Sequence, residues 1–281
     1  MQALRRLTPA KVLLLASLWL VVLVSVAPFV YMILGSFKEN YELLTNSPEL
    51  LPRDGFGLRK YADLIESWPI LRNMLNSLVV SLATTVSVTF FSLLVGYSLA
   101  KFDFPGKGIV MVIIIATLMV PFEVRLVPQY VLFRDLGLLN SYVGLVLPSA
   151  ISAFGIFLVR QFAQESIPDE LIEAARLEGT SEFRILRSIV APVMSPALIS
   201  LALLTFITSW NDFLWPLIAV TDSDLFTVSI ALKSLADPTT QVDYGRVLAA
   251  AVISVIPVLV VFGLFNRKIT EAVIAGSGRE S

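Results

Sequence analysis

Residues 167–181 read Ile167-Pro168-Asp169-Glu170-Leu171-Ile172-Glu173-Ala174-Ala175-Arg176-Leu177-Glu178-Gly179-Thr180-Ser181, a polar stretch between two apolar ones. Pro168 suits the first turn of a helix, where its missing N–H is not needed. Asp169 and Glu170 follow, and their negative charge complements the positive end of the helix dipole. Leu171, Ala174 and Ala175 share one face at i, i+3 and i+4, with Glu170, Glu173 and Arg176 largely off it. Gly179 is placed to end the helix in the left-handed conformation. Thr180 or Ser181 can cap a second helix, with Glu182 in its first turn. That helix carries Phe183, Leu186, Ile189 and Val190 on one side until Pro192 ends or kinks it. An ordinary connector lying on a membrane surface has the same periodicity. The small apolar face nonetheless fits a groove on a protein partner better than lipid, which favours bulky apolar residues with Lys and Arg.

Outward from this stretch the chain is built for lipid. Hydrophobic residues make up 56% of it and charged residues 15%, against about 25% charged in soluble domains. Six apolar runs predict an all-α polytopic membrane protein forming a single domain over residues 1–281, with spans at about 12–34, 76–100, 109–133, 141–159, 197–217 and 247–265. A signal peptide is the rival reading of the first run. Its apolar core is longer than the usual ~7–15 residues, and Pro28 after Ser25-Val26-Ala27 opposes cleavage. The second run has a Ser/Thr face (Ser81, Thr84, Thr85, Ser87, Ser92) and Gly96, which permit close helix contact in lipid. The third is broken at Pro121 and again at Pro128. Such breaks persist only where protein or water satisfies the freed carbonyls, so this span is expected to end at an outer vestibule.

Six spans put both termini on one side. Arg5, Arg6 and Lys11 before the first span, Lys101 and Lys107 after the second, and Arg267 and Lys268 after the sixth mark that side as cytoplasmic. The loop 160–196 is then inside, and residues 37–73 form the longest outer loop, read as an ordered cap or lateral helix plus turns. Thr221–Gly245 is long for a connection and carries Asp222, Asp224, Asp237 and Asp243.

Several classes of chemistry are excluded. The chain has no Cys and no His, which removes thiolate sites and the commonest general base and metal ligand. No catalytic or metal site is expected. The net charge of −1 gives no argument for nucleic acid. No phosphate-binding GxxxxGK[ST] occurs: around Gly106-Lys107-Gly108, Lys101 stands where that motif needs its first Gly. If ATP drives this protein, another chain binds it. An autonomous ion-coupled transporter would show ionisable residues at span centres and paired broken helices in inverted repeats, and neither is evident. A membrane enzyme would have to rely on Glu123 and Asp212.

The resemblance lies in Glu173-Ala174-Ala175, Gly179, Ile189, Pro192 and Pro196, which follow the EAA signature of the membrane subunits of binding-protein-dependent ABC importers. Asn76-Ser77, Tyr97-Ser98-Leu99-Ala100-Lys101, Phe104-Pro105-Gly106-Lys107, Leu147-Pro148 and Trp210-Asn211-Asp212-Phe213-Leu214-Trp215-Pro216 are similar to the carbohydrate permeases that include the second membrane subunit of the maltose transporter. The likeness runs over about residues 12–270. Ala191, Asn266 and Glu271 depart from it, as does the tail 272–281. The resemblance implies the type I importer membrane fold in the cytoplasmic membrane of a prokaryote. It also implies a second homologous permease subunit, two ATPase subunits that bind ATP and Mg, and an extracytoplasmic binding protein contacting the 221–245 loop. Pro168, Glu170, Leu171, Glu173, Ala174, Ala175 and Gly179 would form the ATPase-coupling helix. Trp210, Asn211, Asp212, Glu123 and Arg125 are the candidates for the substrate pathway, since aromatic rings beside hydrogen-bonding groups suit sugars. A neutral oligosaccharide is the first expectation for the cargo, and a phosphorylated polyol, on Arg125, the second.

Overall fold

A computed structural model describes residues 9–45, 49–239 and 241–277, the last with side chains to residue 265. Arg5, Arg6, Arg279, the side chains of Arg267 and Lys268, and the side chains of the tail lie outside the described residues. Among the described residues every regular element is a helix and there is no strand.

The first span is one helix, α1 (Pro9–Gly35), apolar all round. Short helices α2 (Asn40–Leu43) and α3 (Arg59–Ser67) follow in the expected outer loop. The second span is the 32-residue helix α4 (Ile70–Lys101), which contains no proline and spans about 48 Å at 1.5 Å per residue.

Beyond α4 the helices are broken where the chain cannot continue their hydrogen bonding. Gly106 turns with φ +84° into α5 (Lys107–Leu118). Pro121 then separates α5 from α6 (Phe122–Asp135), and the two meet at 101°. The fourth span bends by 45° between α7 (Tyr142–Val146), extended by a 3-10 turn to Ser149, and α8 (Ala153–Ser166). Ser141 and Ser152 cap these helices, their Oγ atoms accepting from Gly144 N–H at 2.9 Å and Gly155 N–H at 3.1 Å.

The polar stretch forms α9 (Asp169–Leu177), then α10 (Glu182–Ile185), a π turn (Leu186–Val190) and α11 (Ala191–Val193). Pro192 withholds an N–H from this segment, and the chain turns by 79° into α12 (Ser195–Trp210). The expected span 197–217 is interrupted at Asn211–Phe213 before α13 (Leu214–Ala219). The segment 221–245, expected outside, is not a plain loop: it holds a 3-10 turn (Ser223–Leu225) and α14 (Val228–Leu235). The last helix, α15 (Tyr244–Ser277), continues past the expected end near 265.

These elements gather into two compact units. One holds the described residues up to Ile70 together with Leu232–Ile256. In it, Lys60 Nζ donates to Glu39 Oε2 at 2.6 Å and Asp243 Oδ2 at 2.9 Å. Burial works to lower the Lys60 pKa, but its hydrogen bonds to the two carboxylates, with their charges, outweigh it and leave it raised. Asn40 joins the same corner, donating to Val242 O at 2.8 Å and accepting from Tyr244 N–H at 2.7 Å.

The other unit holds Leu71–Ala231 and the chain from Pro257 onward. Its main core packs Val88 and Tyr97 of α4, Val159 and Ala163 of α8, Ile172 and Ala175 of α9, Ile185 and Leu201. Small residues let α4 and α8 approach closely. A Cβ on Gly96 would stand 2.8 Å from the Val159 side chain, and one on Gly155 2.3 Å from Ser92 Oγ. Ser92 of the Ser/Thr face of α4 thus packs at this seam, and Ser87 Oγ donates to Ala150 O at 2.9 Å.

Candidate functional site

Two places in the larger unit concentrate polar side chains, at different heights along α4. The first is the end of α4 at Lys101. Its Nζ donates to Ile167 O at 2.5 Å and to Asp169 Oδ1 at 2.6 Å. The hydrogen bond from Lys101, then its charge, hold the Asp169 carboxyl below its usual pKa. Arg176 Nε donates to Glu182 Oε1 at 2.6 Å, and its guanidinium lies 5.1 Å from the centroid of the Phe102 ring. The polar stretch is thereby tied to the last turn of α4. Neither Lys101, Phe102 nor Arg176 stands out as part of this site in the sequence. Their pairing joins positions about 70 residues apart, and no local pattern reports such a distance.

Within α9, Pro168 is the N-cap residue and not in the first turn. Gly179 adopts φ +76°. Its N–H donates to Arg176 O at 2.9 Å and the Thr180 N–H to Ala175 O at 3.1 Å, the two bonds of a Schellman stop. The apolar face read from the sequence is divided. Ala175 turns inward with Ile172 and both are buried, whereas Leu171 and Ala174 are exposed. The exposed set comprises Pro168, Glu170, Leu171, Glu173, Ala174 and Gly179, extended by Leu177, which is 90% exposed, and by Phe183. Leu177 was missed because it falls off the i, i+3, i+4 set built on Leu171.

The second place is a cavity of about 980 Å³ lined where the broken helices meet. Thr84, Thr205, Thr208 and Ser209 line it together with Asn211, Asp212 and Arg125. Ile113 and Ile114 of α5, Phe154 and Leu201 supply apolar wall. The break at 211–213 presents its polar groups here. The Asp212 carboxylate accepts from the backbone N–H groups of Trp215 and Phe213, at the start of α13. Asn211 Nδ2 donates to Ile207 O at 2.8 Å. Arg125 lies 5.5 Å from the Phe122 ring centroid.

Of the candidates for a substrate pathway, Asn211, Asp212 and Arg125 therefore share one cavity. Trp210 and Glu123 are outside its lining. Trp210 is buried and stacks on Phe206 with centroids 5.8 Å apart. Glu123 is exposed. Trp215 is structural: its Nε1 donates to Gly144 O at 2.9 Å and its ring meets Phe133 edge-on at 5.3 Å.

The opposite end of α4 is polar too. Arg72 pairs with Asp224 at 2.8 Å, Asn76 Nδ2 donates to Asp224 O and Phe226 O, and Tyr142 Oη meets Asn76 Oδ1 at 2.6 Å. Residues 221–226 are thus fixed to α4 by side-chain bonds.

Residues 89–270 match the model of the binding-protein-dependent transport system inner membrane component family. This chain belongs to that family. It is a membrane permease subunit of an ABC importer, it works with a substrate-binding protein, and the ATPase is a separate subunit. The permease is 36% identical over 251 residues to the arabinooligosaccharides transport system permease protein AraQ of Bacillus subtilis (strain 168), covering 89% of each chain. It is 37% identical over 213 residues to the sn-glycerol-3-phosphate transport system permease protein UgpE of Salmonella typhi, covering 75% of each. The diacetylchitobiose uptake system permease protein NgcG of Streptomyces coelicolor (strain ATCC BAA-471 / A3(2) / M145) is 31% identical, over 93% of this chain and 86% of that one. In fold, the permease resembles a chain in the crystal structure of a bacterial ABC transporter involved in the import of the acidic polysaccharide alginate. The TM-score is 0.81 at 23% identity, covering 93% of this chain and 98% of that one.

Proposed function

We propose that this permease moves a neutral sugar or oligosaccharide across the cytoplasmic membrane of a prokaryote by alternating access. The similarity to an arabinooligosaccharide permease over 89% of both chains carries this reading. The cavity supports it, because hydroxyls and an amide beside apolar wall match the hydroxyls and C–H faces of a sugar. The working assembly pairs this chain with a second homologous permease subunit and two ATPase subunits, on which ATP and Mg bind. An extracytoplasmic binding protein delivers the sugar at the face carrying Asp222 and Asp224. Both termini are cytoplasmic. The common position of Lys101 and the 167–182 segment at one end of α4 supports that orientation.

The exposed residues Pro168, Glu170, Leu171, Glu173, Ala174 and Gly179 form the contact with the ATPase, and Ala175 backs them from the core. ATP can shift the inward/outward balance only through contacts that differ between the two states, and this is the surface assigned to them. The test is uptake of labelled arabinotriose by proteoliposomes holding the permease with its partner permease, ATPase subunits and binding protein. Glu173→Lys is expected to leave the chain in the membrane while transport per ATP falls by about tenfold, within the usual range of coupling between sites. Undiminished uptake would rule out this role for α9.

Arg125 in the cavity wall and the similarity to a glycerol-phosphate permease favour a second cargo, a phosphorylated polyol.

A further inference from the structure

Lys101 is buried to an unusual degree for a charged residue at a helix end: its side chain is 5% exposed, whereas its partner Asp169 is 76% exposed. An ammonium withdrawn from water persists only where hydrogen bonds replace the hydration it lost. Here the carbonyl of Ile167, a residue 1% exposed, and one oxygen of Asp169 do so. The hydrated Asp169 could be satisfied by solvent, so the geometry is set chiefly by the buried carbonyl just before α9. At the other end of α9, Arg176 lies over Phe102 and bonds to Glu182, while Tyr97 Oη reaches Glu182 Oε2 at 3.5 Å. The Tyr97 and Phe102 rings meet edge-on at 5.7 Å. Both ends of α9 are therefore fastened to the last turns of one helix, α4, with Ile172 and Ala175 packed between the fastenings.

The covalent route onward from α9 is softer. It runs through left-handed Gly179, a π turn and a 79° bend before it reaches α12. A π turn closes its hydrogen bonds from i to i+5, interrupts the regular α ladder, and is frequent at functional sites. A push on α9 then has three paths: packed and hydrogen-bonded side chains on α4, the short link Ile167–Pro168 back to α8, and a bent backbone onward to α12.

We propose that Lys101 and Arg176 are positioning residues that lock α9 to α4, so that the load applied by the ATPase enters the membrane through the second span. The proposal rests on the reading of α9 as the ATPase contact. It makes α4 the lever, and the α4 seam with α8 at Gly96 and Gly155 the place where its motion is passed on. Lys101 and Arg176 touch no cargo; they act through α9.

The chain has no cysteine, so a single reporter can be placed on α4. An environment-sensitive fluorophore on Leu94→Cys, an exposed position about two turns from Lys101, reads movement of this helix. The full complex is reconstituted in proteoliposomes and its emission is followed on adding Mg-ATP with vanadate. In the parent complex the emission is expected to shift. Lys101→Met is expected to reduce the shift by about tenfold while the ATPase still co-purifies and hydrolyses ATP. Lys101→Arg, which retains donors for the carbonyl and the carboxylate, is expected to restore it. A loss of packing alone would not be repaired by the larger arginine. If Lys101→Met fails to insert, Arg176→Gln, which removes the charge over Phe102 and the bond to Glu182, gives the same readout. A full shift in these variants would overturn the lock and leave the transport reading standing. No shift in a parent complex that still drives uptake with ATP would overturn the lever, since the load would then leave α9 by another route, whereas undiminished uptake in Glu173→Lys would overturn the ATPase contact on which the lock rests.

Discussion

Gly179 stands with φ +76°, and nothing lies within 4 Å of where a Cβ would be. A side chain there meets no clash, so its cost is backbone strain alone, about 1–2 kcal/mol for an ordinary L residue in this region. Gly179→Val is therefore expected to loosen the stop of α9, seen as faster hydrogen exchange at the Gly179 and Thr180 amides, whose bonds to Arg176 O and Ala175 O close the helix. Gly179→Asn, which tolerates this conformation better, is expected to exchange less rapidly than Gly179→Val. Equal exchange in all three proteins would mean that the Schellman stop contributes no local stability. At this scale the sequence is informative, because a left-handed stop needs a particular residue type. Which apolar residues face inward is another matter. Leu171 and Ile172 are adjacent, similar in size and equally apolar, and only the position of α4 and α8 decides that Ile172 goes to the core and Leu171 to solvent.

The same distinction holds for elements. The breaks at Pro121 and after Val193 were legible because proline removes a helical donor. The break at 211–213 was not, since Asn-Asp-Phe contains neither proline nor glycine. It is held partly from outside the segment, where Trp215, buried and bonded to Gly144 O, anchors α13 on α7, and partly from within, where Asp212 accepts from the Phe213 and Trp215 N–H groups. The α4–α8 seam was legible in kind, as a run of small and hydroxyl residues, but its partner helix was not. A Cβ on Gly96 would meet the Val159 side chain at 2.8 Å and the backbone nitrogen of Arg160 at 3.0 Å, so the backbone itself must move. Gly96→Leu is expected to cost about 1–3 kcal/mol, the usual range for overpacking, and to lower the midpoint of thermal unfolding in detergent. Gly108→Leu is the control on a glycine with open space around it. A Gly96→Leu protein as stable as the control would show that α4 and α8 are not tightly coupled.

For the whole molecule, the proposed division is between an end that takes up force and a cavity that meets the cargo, and on that proposal Arg125 decides what the cavity favours. Arg125 is exposed, stacks on Phe122, and forms no ion pair among the described residues. Its charge is thus not neutralised by a neighbouring carboxylate. Close to a phosphate, near a protein surface, such a charge contributes up to about 4 kcal/mol before screening, and about 1.4 kcal/mol already makes a tenfold preference. A neutral sugar offers it only hydrogen-bond acceptors, which water supplies as well. Arg125→Gln is therefore expected to change arabinotriose uptake by less than about threefold, below 1 kcal/mol of transition-state stabilisation. If the cargo is instead a phosphorylated polyol, the same substitution is expected to lower uptake of sn-glycerol 3-phosphate by about tenfold or more. Measured side by side in one proteoliposome preparation, the two labelled compounds separate the readings, because only the anionic one responds to the loss of a single charge in the wall of this cavity.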